Sequence, residues 1–368
     1  MEPRERVRLS LSHTSPDRIP LDFGSRSSAI EEEAYTALKA HLGIQSPTRN
    51  FLRAHAVIEE SVAARLGIDT RWVRFFPDSC WKTDGNDCLF VDMWGVPWRK
   101  RNGSFYYELD SNPFSQLSRD EVRAAHLPPI LTDEVVSRMQ AEAEHAYCTG
   151  CFVGCDMIGA GVFERAWYLR GFEEFMFDLM DDEYFARTYL EKILIHQIEA
   201  YDRIAQALSP YIEAVLITDD IATQDSLMIS PETYRTVVKP VQKALLEHLR
   251  SLGLQVVFHS CGAVAPLIPD LIEIGVEIMH PIQVSAKGMD TRVLKREFGK
   301  DLVFWGGGCD IEVLQYGTAD AVREEVKRRC EDLAGGGGFV FTTTHCIQPN
   351  TPPENIMTMI ETLREFNA

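Results

Sequence analysis

Short apolar runs, each too brief to form a helix of ordinary length, recur along the chain and alternate with stretches in which apolar residues repeat at helical spacing. Eight runs stand out, at 18–23, 72–76, 150–158, 213–218, 254–262, 276–280, 302–306 and 338–344. They are rich in β-branched and aromatic residues, the pattern of strands buried on both faces. Helical spacing marks 30–42, 56–66, 181–208, 263–275 and 319–333. Gly43 and Gly67 stop the first two in the C′ position. Ser230, Pro231 and Glu232 open another helix as N-cap and first turn, and Thr351 is the N-cap expected for the last, ahead of Pro352, Pro353 and Glu354.

Strands alternating with helices predict a parallel sheet, and eight repeats predict closure into an α/β (β/α)8 TIM barrel with an N-terminal extension. One segment breaks the rhythm. From 88 to 108 aromatic residues alternate with polar ones around Asn102-Gly103, which predicts a β-hairpin insertion. Trp94 and Trp98 of that insertion are expected to cover core rather than the site. With no internal repeat, low-complexity tract or linker, residues 1–368 are expected to form one domain.

Apolar residues at 45% and charged residues at 25% suit a globular enzyme with a sizeable core. The balance of 37 Lys and Arg against 55 Asp and Glu gives a net charge of −18, which repels phosphate backbones and anionic membrane surfaces. Neither nucleic acid nor a membrane is therefore an expected partner. The N-terminal residues lack the apolar core of a secretion signal, and no segment approaches a membrane span, so a cytoplasmic location is expected. Nine cysteines without a regular framework are then expected to be ligands, nucleophiles or packing groups, with no structural disulfide.

Barrel chemistry sits at the C-terminal ends of the strands. The polar tips there are Asp22 and Arg26, Asp156, Asp219 and Asp220 with Gln224 nearby, His259 and Cys261, His280 and Gln283, Cys309 and Asp310, and His345 and Cys346. The run LQVVFHSCG delivers an imidazole and a thiol to one tip, and the run that begins at Phe339 delivers Cys346 to another. His259, Cys261 and Cys346 then make three ligands with a fourth position open, the count of a catalytic zinc. A lone His259–Cys261 pair would be read as packing; adding Cys346 on a second tip favours metal, and the weight rests on the barrel prediction rather than on spacing. Asp219 and Asp220 read either as loop anchors or, since adjacent carboxylates resist double ionisation, as a general acid. Cys148, Cys151 and Cys155 in CTGCFVGC read as strand packing ahead of a metal or redox cluster. The glycine runs at 306–308 and 335–338 lack a dinucleotide-binding context and read as turns.

SPDRIPLDFG, DMWGVPW, TDDIATQDSLMISPETY, FHSCGAVAPLIPDLIEIGVEIMHPIQ, GGCDIEVLQYGT and IQPNTPPENI together resemble the uroporphyrinogen decarboxylase-like superfamily. Within it the chain resembles the zinc-dependent corrinoid methyltransferase branch, which includes methylcobalamin:coenzyme M methyltransferases and anaerobic O-demethylase methyltransferases. The H-x-C…C zinc pattern of that branch maps onto His259, Cys261 and Cys346. The decarboxylase's arginine-bearing N-terminal signature, similar to PVWxMRQAGRY, is absent, for after Pro20 the chain reads LDFGSRSSA. The resemblance implies Zn2+, a partner corrinoid (cobalamin) protein and a small methylated substrate, with a lean toward O-demethylation of a methoxylated aromatic. Asp219, Asp220 and His345 are the candidate proton donors, and Asp22, Arg26, Gln224, His280, Gln283 and Cys309 the candidate substrate-binding residues. Methylcobalamin:thiol transfer, a metal-free decarboxylase or lyase using Asp22 and Asp219, and a non-catalytic zinc or corrinoid binder stand as alternatives. Oligomeric state is not legible in the chain.

Overall fold

A computed structural model describes residues 1–51, 54–75, 82–84, 87–101 and 107–367. Its centre is a parallel sheet of β1 (Thr70–Val73), β2 (Phe152–Cys155), β3 (Ala214–Thr218), β4 (Gln255–His259), β5 (Ile278–His280), β6 (Val303–Trp305) and β7 (Phe339–Val340), each hydrogen-bonded to the next in chain order. Residues 20–22 join its two edges. Phe341 N donates to Pro20 O at 2.8 Å and Asp22 N to Phe341 O at 2.9 Å, while on the other side Asp69 N donates to Leu21 O at 2.8 Å. The first apolar run thus takes the eighth barrel position, but as a single bridge rather than the expected strand. Pro20 has no N–H to continue a ladder.

Side chains alternate between two cores, as a period of two demands. Trp72, Phe152, Ala214, Leu216, Val257, Ile278, Val303, Trp305 and Val340 fill the barrel interior, and Val153 and Cys155 pack outward under the helices. Helix α1 (Pro3–Leu11) plugs the N-terminal end, where Val7 and Leu11 join the interior cluster. Ser10 ties that helix to β7 by donating from Oγ to Phe339 O at 2.6 Å and accepting Gly338 N at 2.9 Å on its carbonyl. The opposite mouth is left for chemistry.

Several boundaries differ from expectation. The stretch at 263–275 forms a 3-10 turn, Ala265–Leu267, and a short helix, Ile268–Glu273, because Pro266 and Pro269 withhold the donors a longer helix needs. Ser230 does cap, accepting Thr233 N at 3.0 Å, but Pro231–Thr233 passes into a π-helix, Tyr234–Val238, before Lys239–Ser251. The last helix, Pro353–Phe366, has Pro352 as N-cap instead of Thr351, whose hydroxyl donates to Gln348 O at 2.7 Å. The insertion is larger than a hairpin. Lys82–Asp84, Asp87–Val91, Pro97–Lys100 and Glu108–Leu109 form a four-stranded antiparallel sheet, whose first strand is too polar to be legible as an apolar run. The expected turn at Asn102-Gly103 and the end of the second run at Phe76 lie outside the described residues. Buried Asp92 fastens this sheet to helix α2 (Val162–Arg170), accepting Trp98 Nε1 at 3.2 Å and Arg165 Nη1 at 2.9 Å. Among the described residues no helix is long and apolar enough to cross a membrane.

The edge closure is reinforced by one carboxylate. Asp69, 1% exposed, accepts Arg6 Nη1 at 2.6 Å, Arg18 at 2.8 Å on each oxygen, and Leu21 N at 2.9 Å. Its removal leaves the buried Arg6 guanidinium with Asp17 as its remaining carboxylate, and takes the carboxylate partner from Arg18 and from Leu21 N in the closing segment. Asp69→Ala is expected to cost about 3–5 kcal/mol, read as a lowered urea midpoint.

Candidate functional site

The C-terminal end of β4 delivers His259, whose register partner on β5 is His280. Their Nδ1 atoms lie 2.8 Å apart, and the other nitrogen of His259, Nε2, lies 3.4 Å from Cys261 Sγ and 3.9 Å from Asp220 Oδ1. The loop carrying Cys261 is pinned through its main chain: Cys261 N donates to Asp220 Oδ1 and Gly262 N to Gln283 Oε1, each at 2.7 Å. Gly262 is required there, with φ +93° and space that would put a Cβ 2.5 Å from Thr223 O. His345 arrives from the tip after β7, so that donor atoms of His259, Cys261 and His345 all lie within 4.8 Å of one another. Tetrahedral zinc spaces a nitrogen and a thiolate ligand by roughly 3.5 Å, close to the His259–Cys261 separation. Cys346 lies beside the cluster rather than in it, its thiol donating to Arg26 O at 3.0 Å.

His259, His345 and Cys346 line one face of a cavity of about 240 Å³, and Cys261 sits behind His259 outside that lining. Arg26, Glu31, His55, Glu164 and Asp220 supply its charge, and Trp98, Tyr107 and Tyr168 an aromatic wall. Trp94 and Trp98 both pack in the core, as expected, and Trp98 lines the cavity as well. Glu164 escaped the sequence reading because VFERAW looks like any amphipathic first turn. It accepts hydrogen bonds from the Tyr168 hydroxyl and, at 3.3 Å, from Thr218 Oγ1.

The neighbouring aspartates divide the work. Asp220 lines the cavity, whereas Asp219 accepts Phe163 N at 3.1 Å, Glu164 N at 2.7 Å and Gln242 Nε2 at 2.8 Å. Helix α2 has Gly161 at its N-cap and so no capping side chain of its own; Asp219 caps it from β3 and sets where Glu164 points. Asp156 likewise accepts Arg26 N at 2.7 Å and Met157 N at 2.9 Å. Burial, only partly offset by these donors, pushes the carboxyls of Asp156, Glu164 and Asp219 up to about 7 and that of Asp220 to about 6. Burial also lowers His259 and His345 to about 3, leaving neutral imidazoles, and raises the thiols of Cys261 and Cys346.

Other candidates lie elsewhere. Asp22 sits inside the barrel, accepting Thr70, Trp72 Nε1 at 2.7 Å and Trp305 Nε1 at 2.9 Å, and is not among the cavity-lining residues. Gln283 holds the Cys261 loop, Gln224 is exposed with its carbonyl on Lys287 N, and Cys309 is buried in the outer core. The seven cysteines whose side chains are described are free thiols, and Cys148, Cys151 and Cys155 form no metal-ligating group among the described residues.

Residues 157–366 match the family described as Uroporphyrinogen decarboxylase (URO-D). The chain belongs to this family. A uroporphyrinogen decarboxylase of Thermus thermophilus is 28% identical over 191 residues, covering 50% of this chain and 52% of that protein. The Methylcobamide:CoM methyltransferase MtaA of Methanosarcina barkeri is 27% identical over 157 residues, covering 42% of each. The chain spans about half the length of the curated relatives it matches. A solved methyltransferase from Methanosarcina mazei superposes with a TM-score of 0.68 over 100% of both chains at 17% identity, which shows a shared fold.

The raised carboxyls fix a pH dependence for this URO-D family member. Between the ordinary carboxylate value of about 4 and their folded values, the folded chain binds more protons than the unfolded one. The stability they contribute is complete below about pH 4 and is lost as pH rises through about 7. Burial also keeps His259, His280 and His345 neutral, which acts in the opposite direction below about pH 6.5, so the check is a difference: the urea midpoint of metal-free Glu164→Gln is expected to rise relative to that of the wild type from pH 5 to pH 8.

Proposed function

We propose that the protein is a zinc-dependent methyltransferase that moves a methyl group between a small methylated substrate and the cobalt of a partner corrinoid protein. The observation that carries this reading is the gathering of His259, Cys261 and His345, with Cys346 beside them, at the open mouth of the barrel. His259, Cys261 and Cys346 would hold the metal: two thiolates and a neutral imidazole balance a dication, and Cys346 is near enough to add to the ionisation cost that burial imposes on the Cys261 thiol. Zinc bound there supplies Lewis acidity to a heteroatom of the substrate. The methyltransferase name of the Methanosarcina barkeri relative supports the reaction class.

The remaining work falls to side chains. Asp220 keeps the Cys261 loop in place, and Asp219 aims Glu164 into the cavity. Glu164, hydrogen-bonded by Tyr168 and Thr218, holds a proton within reach of a leaving oxygen. Trp98, Tyr107 and Tyr168 offer flat apolar surface that suits an aryl methyl ether and excludes water. A porphyrinogen is a poor alternative. Arg26 is the only arginine or lysine lining the cavity among the described residues, and Glu31 and Asp220 line it too.

Elemental analysis of purified protein is expected to find about one zinc per chain, lost in Cys261→Ala and in Cys346→Ala and retained in His345→Ala. Methyl transfer from an aryl methyl ether to cob(I)alamin is expected of the zinc-loaded protein, with Glu164→Gln slowing it by about 10²–10⁴-fold. Absence of metal from the wild type, or full activity in a metal-free double cysteine variant, overturns the proposal.

A further inference from the structure

His259 Nδ1 has one hydrogen-bond partner among the described residues, and it is neither a carboxylate nor a carbonyl but Nδ1 of His280. The backbone imposes this pairing: the two residues are register partners on adjacent strands, and their rings stack at 4.9 Å with 27° between planes. We propose that His280 is a positioning residue for the metal site, accepting the Nδ1–H of His259 so that His259 presents Nε2 as a bare lone pair beside Cys261. The inference rests on the reading of His259 as a metal ligand.

Two ring nitrogens 2.8 Å apart must share one hydrogen. Two hydrogens would collide, and none would set lone pair against lone pair. Each neutral imidazole carries a single N–H, so the pair has two arrangements with the same total of two hydrogens. In one, His259 is protonated on Nδ1, its Nε2 is free, and His280 carries its hydrogen on Nε2. In the other both hydrogens are transposed, and His259 Nε2–H points toward Cys261 Sγ at 3.4 Å, where it blocks a cation. Only the first arrangement can ligate.

A metal-bound histidine ordinarily donates its second N–H to a carboxylate, carbonyl or water, which sets the tautomer and raises ligand basicity. His280 fills that place without adding a negative charge, so the site with two thiolates stays neutral and the metal keeps its Lewis acidity. The pairing also leaves a mark elsewhere. His280 Nε2 is buried with no hydrogen-bond partner among the described residues, in a residue 1% exposed. In the ligating arrangement that nitrogen is a buried, unpartnered donor, a state with a desolvation cost that metal coordination at His259 offsets.

The test compares His280→Leu, which removes the acceptor, with His280→Gln, whose amide oxygen can replace it. Zinc affinity by chelator competition and the absorption spectrum of the Co2+-substituted protein are the readouts, with circular dichroism of each metal-free variant as the folding control. His280→Leu is expected to weaken zinc binding by about 10–100-fold and to change the Co2+ spectrum, and His280→Gln to restore most of both. In zinc-loaded wild type, long-range 1H–15N spectra are expected to place hydrogens on His259 Nδ1 and His280 Nε2, a readout that needs no variant to fold. Unchanged affinity and spectrum in His280→Leu, or a hydrogen on His280 Nδ1 in the zinc-loaded protein, overturns the inference while leaving the proposed function standing. Wild-type protein that takes up no zinc overturns the proposed function and this inference with it.

Discussion

Closure of the barrel hangs on the three residues Pro20, Leu21 and Asp22. Their backbone bonds to Phe341 on one side and Asp69 on the other, and the carboxylate of Asp22 reaches inward to the indoles of Trp72 and Trp305, on strands β1 and β6. A ladder interrupted by proline is weak by itself, so side chains complete it: Asp69 receives two arginines and a backbone N–H at the same seam. The mouth inherits its geometry from that seam. Arg26 follows directly in the chain, its N–H is held by Asp156, and its carbonyl receives the thiol of Cys346.

At the mouth, two buried carboxylates and a third that is partly exposed act on the main chain. Asp156 holds Arg26, Asp219 holds the start of the helix that carries Glu164, and Asp220 holds Cys261. Each takes a charge-bearing group out of water, a cost that backbone donors repay in part, and the residual cost shows in carboxyls displaced upward to about 6 or 7. The arrangement gives a rigid frame for soft ligands on short strand tips. It also explains why two adjacent aspartates with the same sequence signature serve different ends, one behind a helix and one facing the cavity.

Family membership and site chemistry bear on the proposed function from different sides. Relatives named uroporphyrinogen decarboxylase stand beside one named a methyltransferase, and the described residues that line the cavity include one arginine, three imidazoles and the Cys346 thiol. Anchored by the Asp92–Arg165 pair, the insertion brings Trp98 and Tyr107 into the lining of the cavity.

The strands were legible because both of their faces are buried, so each appears as a short apolar run ending in a polar tip, marked by its length and its β-branched and aromatic residues. Helix starts at Ser230 and the helix Ala319–Leu333 were legible because caps and apolar spacing are local. His259 and Cys261 could be singled out for the same reason: two residues on one strand end need no partner to be noticed. Tertiary structure decided the rest. The bridge at Leu21, the cap that Asp219 gives a helix 55 residues away, the entry of Glu164 into the cavity and the shared hydrogen of His259 and His280 all depend on register between strands. Register is set by which elements pack together across long separations, and no local periodicity encodes it.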